Sequence, residues 1–347
     1  MDPAVPGPDL PPAGQSLFDS LTTDPLPFPI SRLLEQIGAQ AGSAVRFRRV
    51  LIPLGRSLQR SAAAPEFFRY PRAIAALDDS ANPAIRDRLY LGYQEKAGVI
   101  EVLSYNRDAG RFEFQLVHDY REGALPKVYY ARRRVCTVCH QNQAPLFPRQ
   151  LWDETNANSR VSHLLEEEQR DYYGFPVAQT ADEPYAIDLA VHRANELAVY
   201  QRLWAEAPPD ARRDLAAAAV RCRKSGACSP PELGAWWRTR WPRGLAIPNP
   251  EIADRNPLAI LTREGPADRA GVLAFLAVRQ KTIEAEFEPA MPRSPLEFWY
   301  GDPERVERLV RGLAAQLPAG VSEVALEAPF RAPSPLPSPG RIPQNAP

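Results

Sequence analysis

Two of the four cysteines in this 347-residue chain stand three positions apart, and a histidine directly follows the second one. The stretch reads CTVCH, with Cys136, Cys139 and His140. A random shuffle of this composition would produce the pattern on the order of 4 times in 10,000, so coincidence is a poor explanation. Three kinds of chemistry use such residues: covalent attachment of haem, a zinc site and a redox-active dithiol.

Covalent haem attachment accounts for every fixed position of the motif. Each thiol can add to a vinyl group of the porphyrin, which then holds the imidazole of His140 beneath the iron as an axial ligand. In these residues the chain resembles the c-type cytochromes, with Cys136 and Cys139 as the covalent attachment points. The resemblance covers about residues 132–158. It implies one haem c and a role in electron transfer, with a redox partner protein or a small-molecule donor or acceptor.

The residues around the motif are candidates for contacts with the haem. An axial histidine needs an acceptor for its other ring nitrogen, and in many c-type cytochromes this is a proline carbonyl shortly after the motif. Pro145 is a proline shortly after the motif whose carbonyl could have this role, and Pro148 is a second candidate. Arg149 and the arginines at 132–134 are candidates for pairing with the haem propionates, because guanidinium groups bind carboxylates well.

An aromatic and amide cluster follows in LWDETNAN, with Trp152, Asn156 and Asn158. The Trp152 ring could pack against a porphyrin edge while its N–H finds a polar partner. Packing and loop capping are the favoured interpretation of the cluster as a whole.

The second axial position decides the mechanism. A strong axial pair favours electron transfer, whereas an open position allows peroxide or gas binding in a haem enzyme or sensor. Met291 in EPAMPRSP is the leading candidate, since a methionine–proline loop carries this ligand in many monohaem cytochromes c. His118, His163 and His192 are the other candidates, and the β-strand pattern around His118 predicts apolar surroundings for it.

The remaining cysteines, Cys222 and Cys228, have two interpretations. Five residues including a glycine separate them, which permits a disulfide if their Cα atoms approach within about 7 Å, and a disulfide indicates an oxidising compartment. Alternatively, all four cysteines could form a zinc site in a non-catalytic module, although the second pair is spaced too widely for a typical one. A thioredoxin-like dithiol is weaker, because no βαβ pattern surrounds the motif.

Composition restricts the class of partner. The formal net charge is zero, so nucleic acid is not an expected partner. No apolar run approaches the roughly 20 residues of a transmembrane helix, so we expect no transmembrane segment. Haem is attached outside the cytoplasm in c-type cytochromes, which implies a periplasmic location. The first residues lack the pattern of a signal peptide, so either a leader was cleaved before Met1, or the start codon lies elsewhere, or the haem interpretation is wrong.

The elements that must position the motif follow from hydrophobic periodicity. We expect an α+β fold with helix in excess, in which a β-hairpin and strand region over about 88–135 leads into the motif. Alternation in RFEFQLVH predicts a strand, and NRDAG a hairpin turn before it. Helical patterns cover residues 29–42, 187–207, 210–226, 266–288 and 302–317.

The domain organisation is simple. Residues 1–14 and 328–347 are rich in proline and have little to bury, which predicts disordered ends. The intervening residues, 15–327, contain no repeat and no long linker. They are expected to form a single globular haem-binding unit.

Overall fold

The computed structural model describes most of the chain outside the motif. The described residues are 14–42, 45–53, 62–79, 82, 85–107, 111–131, 155–169, 171–178, 186–187, 189–191, 193–194, 197, 207–229, 231–248, 296–315 and 317. Residues 132–154, which include the motif, and residues 249–295 lie outside this set.

A six-stranded antiparallel sheet is the centre of the fold. Its strands follow one another in space in chain order: β1 Arg46–Ile52, β2 Arg72–Asp78, β3 Leu89–Gln94, β4 Val99–Asn106, β5 Arg111–His118 and β6 Lys127–Tyr130. The predicted hairpin is confirmed, since β4 and β5 pair with Asn106 opposite Arg111. The two outermost strands are β1 and β6.

The expected α+β fold with helix in excess is wrong. Among the described residues 40% are helical and 24% are in strands, so helix is not clearly in excess, and the sheet is the central element. The predicted strand region began at about 88, whereas the sheet begins at Arg46. The first two strands lack period-two alternation: β2 is buried on both faces and has an almost continuous apolar sequence, and β1 carries three arginines.

One face of the sheet is covered by α1 Leu17–Leu21, α2 Ile30–Ala41 and α3 Ser159–Glu166, together with the short hairpin of β7 Asp171–Tyr172 and β8 Phe175–Pro176. The helix predicted over 29–42 is confirmed as α2. It buries Leu33, Leu34 and Ile37 on one face and ends at Gly42, whose φ of 123° an L side chain rarely adopts.

The other face carries a helical layer. It contains α4 Pro209–Ser225, α5 Pro231–Arg240, α6 Pro303–Ala315 and helical residues within 186–197, and these share one apolar cluster with residues of the sheet. The predictions over 210–226 and 302–317 are confirmed, with Gly226 in the left-handed conformation after α4. The helix predicted over 266–288 lies outside the described residues.

A two-stranded ladder accompanies the helical layer, formed by β9 Leu245–Pro248 and β10 Leu296–Trp299. Pro248 pairs with Leu296, so the two described ends of segment 249–295 are neighbours. Among the described residues, no helix has the length and hydropathy required to cross a membrane.

Candidate functional site

The predicted haem site falls outside the described residues. This applies to Cys136, Cys139 and His140, to the proposed neighbours Pro145, Arg149 and Trp152, and to the candidate ligands His192 and Met291. These assignments stay predictions. The structure does describe residues that flank the motif segment on both sides.

The strand that leads into the motif is tied to α1 by a polar network. The hydroxyl of Tyr130 on β6 donates a hydrogen bond to Asp19, and the Nε2 atom of Gln115 donates to the other carboxylate oxygen at 2.9 Å. The backbone N–H of Ser16 lies 3.1 Å from Oδ2 of Asp19. Burial, and after it the hydrogen bond to Asp19, raises the pKa of Tyr130 above its ordinary value. The last described strand before the motif, β6, is therefore hydrogen-bonded to α1.

Sequence inspection missed this network. The pattern Ser16-Leu-Phe-Asp19 is a capping box, and both of its hydrogen bonds form in α1. That signature could have identified the helix. The partners Gln115 and Tyr130 lie about 100 residues away in the chain, and no local pattern indicates them.

The chain returns from the motif at the opposite edge of the sheet. The backbone N–H of Asn156 donates to the carbonyl of Leu51 on β1 at 3.1 Å, and the N–H of Leu51 donates to Oδ1 of Asn156 at 2.9 Å. The amide Nδ2 donates to the carbonyl of Val177 at 2.8 Å and contacts that of Pro176 at 3.3 Å. Asn156 is 1% exposed, so the packing interpretation of this residue is confirmed.

The two flanks of the motif lie at opposite edges of the sheet. Ala131 continues β6 through a hydrogen bond from its N–H to the carbonyl of Phe114, while Asn156 is bonded to β1. Since β1 and β6 are opposite edges of a six-stranded sheet, five strand spacings of about 4.8 Å, or roughly 24 Å, separate these edges. Both ends of the segment that carries the motif are hydrogen-bonded to the sheet.

Asn158 has the capping role expected from the sequence. Its side-chain Oδ1 accepts a hydrogen bond from the N–H of Arg160 at 3.0 Å at the start of α3. This satisfies one of the backbone donors that a helix leaves free at its N-terminus.

Two of the histidines considered as iron ligands are described. His118 on β5 is half-buried, with its ring centroid 5.8 Å from that of Tyr129 on β6. It lies beside the apolar core and not within it. His163 on α3 has a side chain that is 73% exposed, and its Nε2 lies 3.4 Å from Oε1 of Glu167 one helical turn later. That geometry is typical of a solvated helix surface.

The segment that contains Met291 begins and ends at the helical layer. Its described ends pair in the ladder of β9 and β10, and the indole N–H of Trp237 on α5 donates to the carbonyl of Trp299 on β10 at 3.0 Å. The motif segment, in contrast, has its described ends on the two edges of the sheet.

A disulfide joins Cys222 and Cys228. Their Cα atoms are 4.5 Å apart and both side chains are buried. The bridge closes the turn after α4, where Gly226 ends the helix. A zinc site with four cysteines needs every sulfur as a thiolate, and these two sulfurs are bonded to each other.

A second polar cluster, which the sequence did not indicate, lies where the helical layer meets the sheet. Arg193 contacts the buried carboxylate of Asp87 through Nε at 2.5 Å and through Nη2 at 2.9 Å. Arg88 is buried beside it, with its guanidinium 4.8 Å from the ring centroid of Tyr105, and burial lowers the pKa of Arg88. The described residues contain no group of three or more histidine, cysteine or acidic side chains placed to hold a metal ion.

Comparisons with protein-family models, with curated proteins and with solved structures give no match for this chain.

Proposed function

We propose that this protein carries one haem c, attached through Cys136 and Cys139 with His140 as an axial ligand, and that it transfers electrons in the periplasm. The observation that carries the proposal is the sequence CTVCH. Two thiols and an imidazole at this spacing suit covalent attachment and iron ligation together.

The disulfide supports this proposal over the zinc alternative. Because Cys222 and Cys228 are bonded to each other, a zinc ion at the motif would have Cys136, Cys139 and His140 as its remaining candidate ligands from the original set. Disulfides persist in oxidising compartments, which is also where haem attachment of this type takes place. The four cysteines thus divide into two candidate thioethers and one disulfide.

The anchoring of the motif segment is the second support. Haem ligands must be held in place by hydrogen bonds beyond the metal. On either side of the motif, Tyr130 donates to the half-buried Asp19 of α1 and Asn156 is bonded to the buried Leu51 of β1. Such anchoring of the flanking residues is compatible with an electron carrier, whose haem ligands need fixed positions.

Met291 is the proposed second axial ligand. The two described histidines are weaker candidates: His163 is exposed and faces Glu167, and His118 packs beside Tyr129. A thioether ligand would raise the reduction potential of the bound group. The haem would exchange electrons with a redox partner protein or with a small-molecule donor or acceptor.

The test is expression of the full chain behind an export leader in cells with haem-maturation machinery. We expect a reduced-minus-oxidised spectrum with c-type bands, and a protein mass raised by one haem that survives denaturation. Cys136→Ala together with Cys139→Ala should abolish the covalent link, whereas Cys222→Ser together with Cys228→Ser should preserve it. Stoichiometric zinc without iron would overturn the proposal.

The axial ligand is tested separately. In the haem-loaded protein, Met291→Ala should lower the reduction potential and open the iron to carbon monoxide. Carbon monoxide binding to the unsubstituted ferrous protein without loss of a ligand would instead favour the haem enzyme or sensor with an open position.

A further inference from the structure

Three partly exposed aromatic side chains lie near the C-terminal end of α5, where Trp236 and Trp241 also pack against the apolar core of the helical layer. Trp236 and Trp241 are half-buried, and their rings meet edge to face with centroids 5.5 Å apart. Tyr300 is 53% exposed and lies against Gly244, where a Cβ would be 2.8 Å from its ring. With two neighbouring arginines these residues form what we term the aromatic–arginine surface: Trp236, Trp241, Tyr300, Arg240 and Arg243.

The surface rests on a rigid base. Trp237 is fully buried beneath it, with its ring centroid 5.1 Å from that of Trp241 and 5.7 Å from that of Trp299. Gly301, at a φ of 76°, packs so tightly on Trp237 that a Cβ would lie 2.6 Å from it. Aromatic groups held this firmly lose little conformational freedom when a partner binds.

The charge on this surface is positive. The stretch from Glu232 to Gly244 contains three arginines and one acidic residue, Glu232, which lies one helical turn before Trp236. Arg238 donates to the carbonyl of Gly301 at 2.9 Å. Arg240 and Arg243 are exposed, and neither forms an ion pair with any residue in the described part of the chain. In a protein with zero net charge, this is a local excess that a complementary partner would neutralise.

We propose that the aromatic–arginine surface is a docking site for an acidic segment of another protein, in which carboxylates flank an apolar side chain. Guanidinium groups bind carboxylates in a bidentate manner, and tryptophan, tyrosine and arginine are the residues that carry most of the binding energy at protein interfaces. Nucleic acid suits the surface less well, because two unpaired arginines would neutralise far fewer than the roughly 6–10 phosphates that such proteins contact.

The aromatic–arginine surface lies outside the motif, and its binding to a partner does not require the haem. Its test measures binding of the full chain, with its disulfide intact, to a fluorescent synthetic peptide in which glutamates flank a central phenylalanine. We expect saturable binding that weakens as salt is raised, since the pairs are exposed. The double variant Arg240→Glu with Arg243→Glu should bind about tenfold more weakly. Tyr300→Ala should also weaken binding, and its melting temperature is measured alongside to show that the fold is retained.

Matched controls decide between outcomes. Arg213→Glu with Arg221→Glu makes the same charge change on exposed positions of α4, and it should leave the affinity within about twofold. A peptide with lysines in place of the glutamates should not bind. The proposal is overturned if the acidic peptide fails to bind, if both double variants lose affinity equally, or if oligothymidylate binds as tightly as the acidic peptide.

Discussion

Leu51 and Asn156 exchange two hydrogen bonds across the outer edge of the sheet, one between their backbones and one from the Leu51 N–H to the Asn156 side chain. The Nδ2 of the same side chain donates to the carbonyl of Val177, the residue that follows β8. One buried amide thus joins the edge strand, the short hairpin and the chain leaving the CTVCH segment. Few side chains other than asparagine could supply an acceptor and two donors in this space.

Asn156→Ala should destabilise the protein by about 3 kcal/mol, because it leaves the N–H of Leu51 without its acceptor and removes donors from two carbonyls in a buried site. Denaturant unfolding measures the change. Asn158→Ala is the matched control: it removes a cap at the start of α3 and should cost about 1 kcal/mol. Equal losses in the two variants would contradict the anchoring role of Asn156.

How far the sequence predicts this fold depends on the kind of signal each element carries. The helix α2 has apolar residues at helical spacing and a terminal glycine, and the hairpin of β4 and β5 has alternation and a turn, so both could be predicted locally. The strands β1 and β2 could not, because β2 is buried on both faces and has no alternation.

The residues around the candidate site divide in the same way, into those whose roles follow from local sequence and those whose contacts are distant in the chain. Asn158 and Gly226 act within their own segments, so their capping roles follow from local sequence. The contacts of Asp19 with Tyr130 and of Asp87 with Arg193 join residues about 100 positions apart. Such pairs are set by the order of strands in the sheet, which local periodicity does not specify.

The disulfide should contribute to stability and not to haem binding. Closing a loop as short as that between Cys222 and Cys228 stabilises a fold by about 2 kcal/mol in the chain-entropy estimate. We therefore expect Cys222→Ser with Cys228→Ser to lower the free energy of unfolding by that amount. The absorption of attached haem should be unchanged, whereas loss of a bound metal in this variant would restore the four-cysteine zinc interpretation.

Asp87 should be essential to the junction between sheet and helical layer. Its side chain is 3% exposed and is paired with Arg193 through two hydrogen bonds. Asp87→Asn keeps a side chain that tolerates the positive φ of 58° at this position but removes the charge, so it should cost about 3 kcal/mol by leaving a guanidinium unpaired.

A double-mutant cycle tests that coupling. Asp87→Asn combined with Arg193→Met removes both charges, and it should cost less than the sum of the two single variants, as measured by denaturant unfolding. Strict additivity would mean that the ion pair does not couple the helical layer to the sheet.

Alkaline pH should unfold this protein through its buried tyrosines. The hydroxyl of Tyr172 lies 2.7 Å from the carbonyl of Phe68 and 3.0 Å from that of Leu165, and the hydroxyl of Tyr120 donates to the carbonyl of Pro27 at 2.6 Å. Burial raises the pKa of both tyrosines, and an ionised oxygen would face carbonyl oxygens. In the folded state both phenols therefore keep their protons at pH values at which the unfolded chain would already lose them.

The sign of the effect follows from linkage. The pKa of each tyrosine is raised in the folded state, so its contribution is fully present below the unfolded value of about 10 and is lost as the pH rises above it. Between the unfolded and the folded pKa, the tyrosine ionises in the unfolded chain alone. Over that pH range each such tyrosine should lower the free energy of unfolding by about 1.4 kcal/mol per pH unit. Tyr172→Phe removes one ionisable group, so the decline above about pH 10 should be shallower, although stability at neutral pH falls by about 1 kcal/mol with the lost hydrogen bond. Urea titrations from neutral to alkaline pH measure both quantities. An unchanged alkaline slope in Tyr172→Phe would show that its hydroxyl ionises equally well in both states.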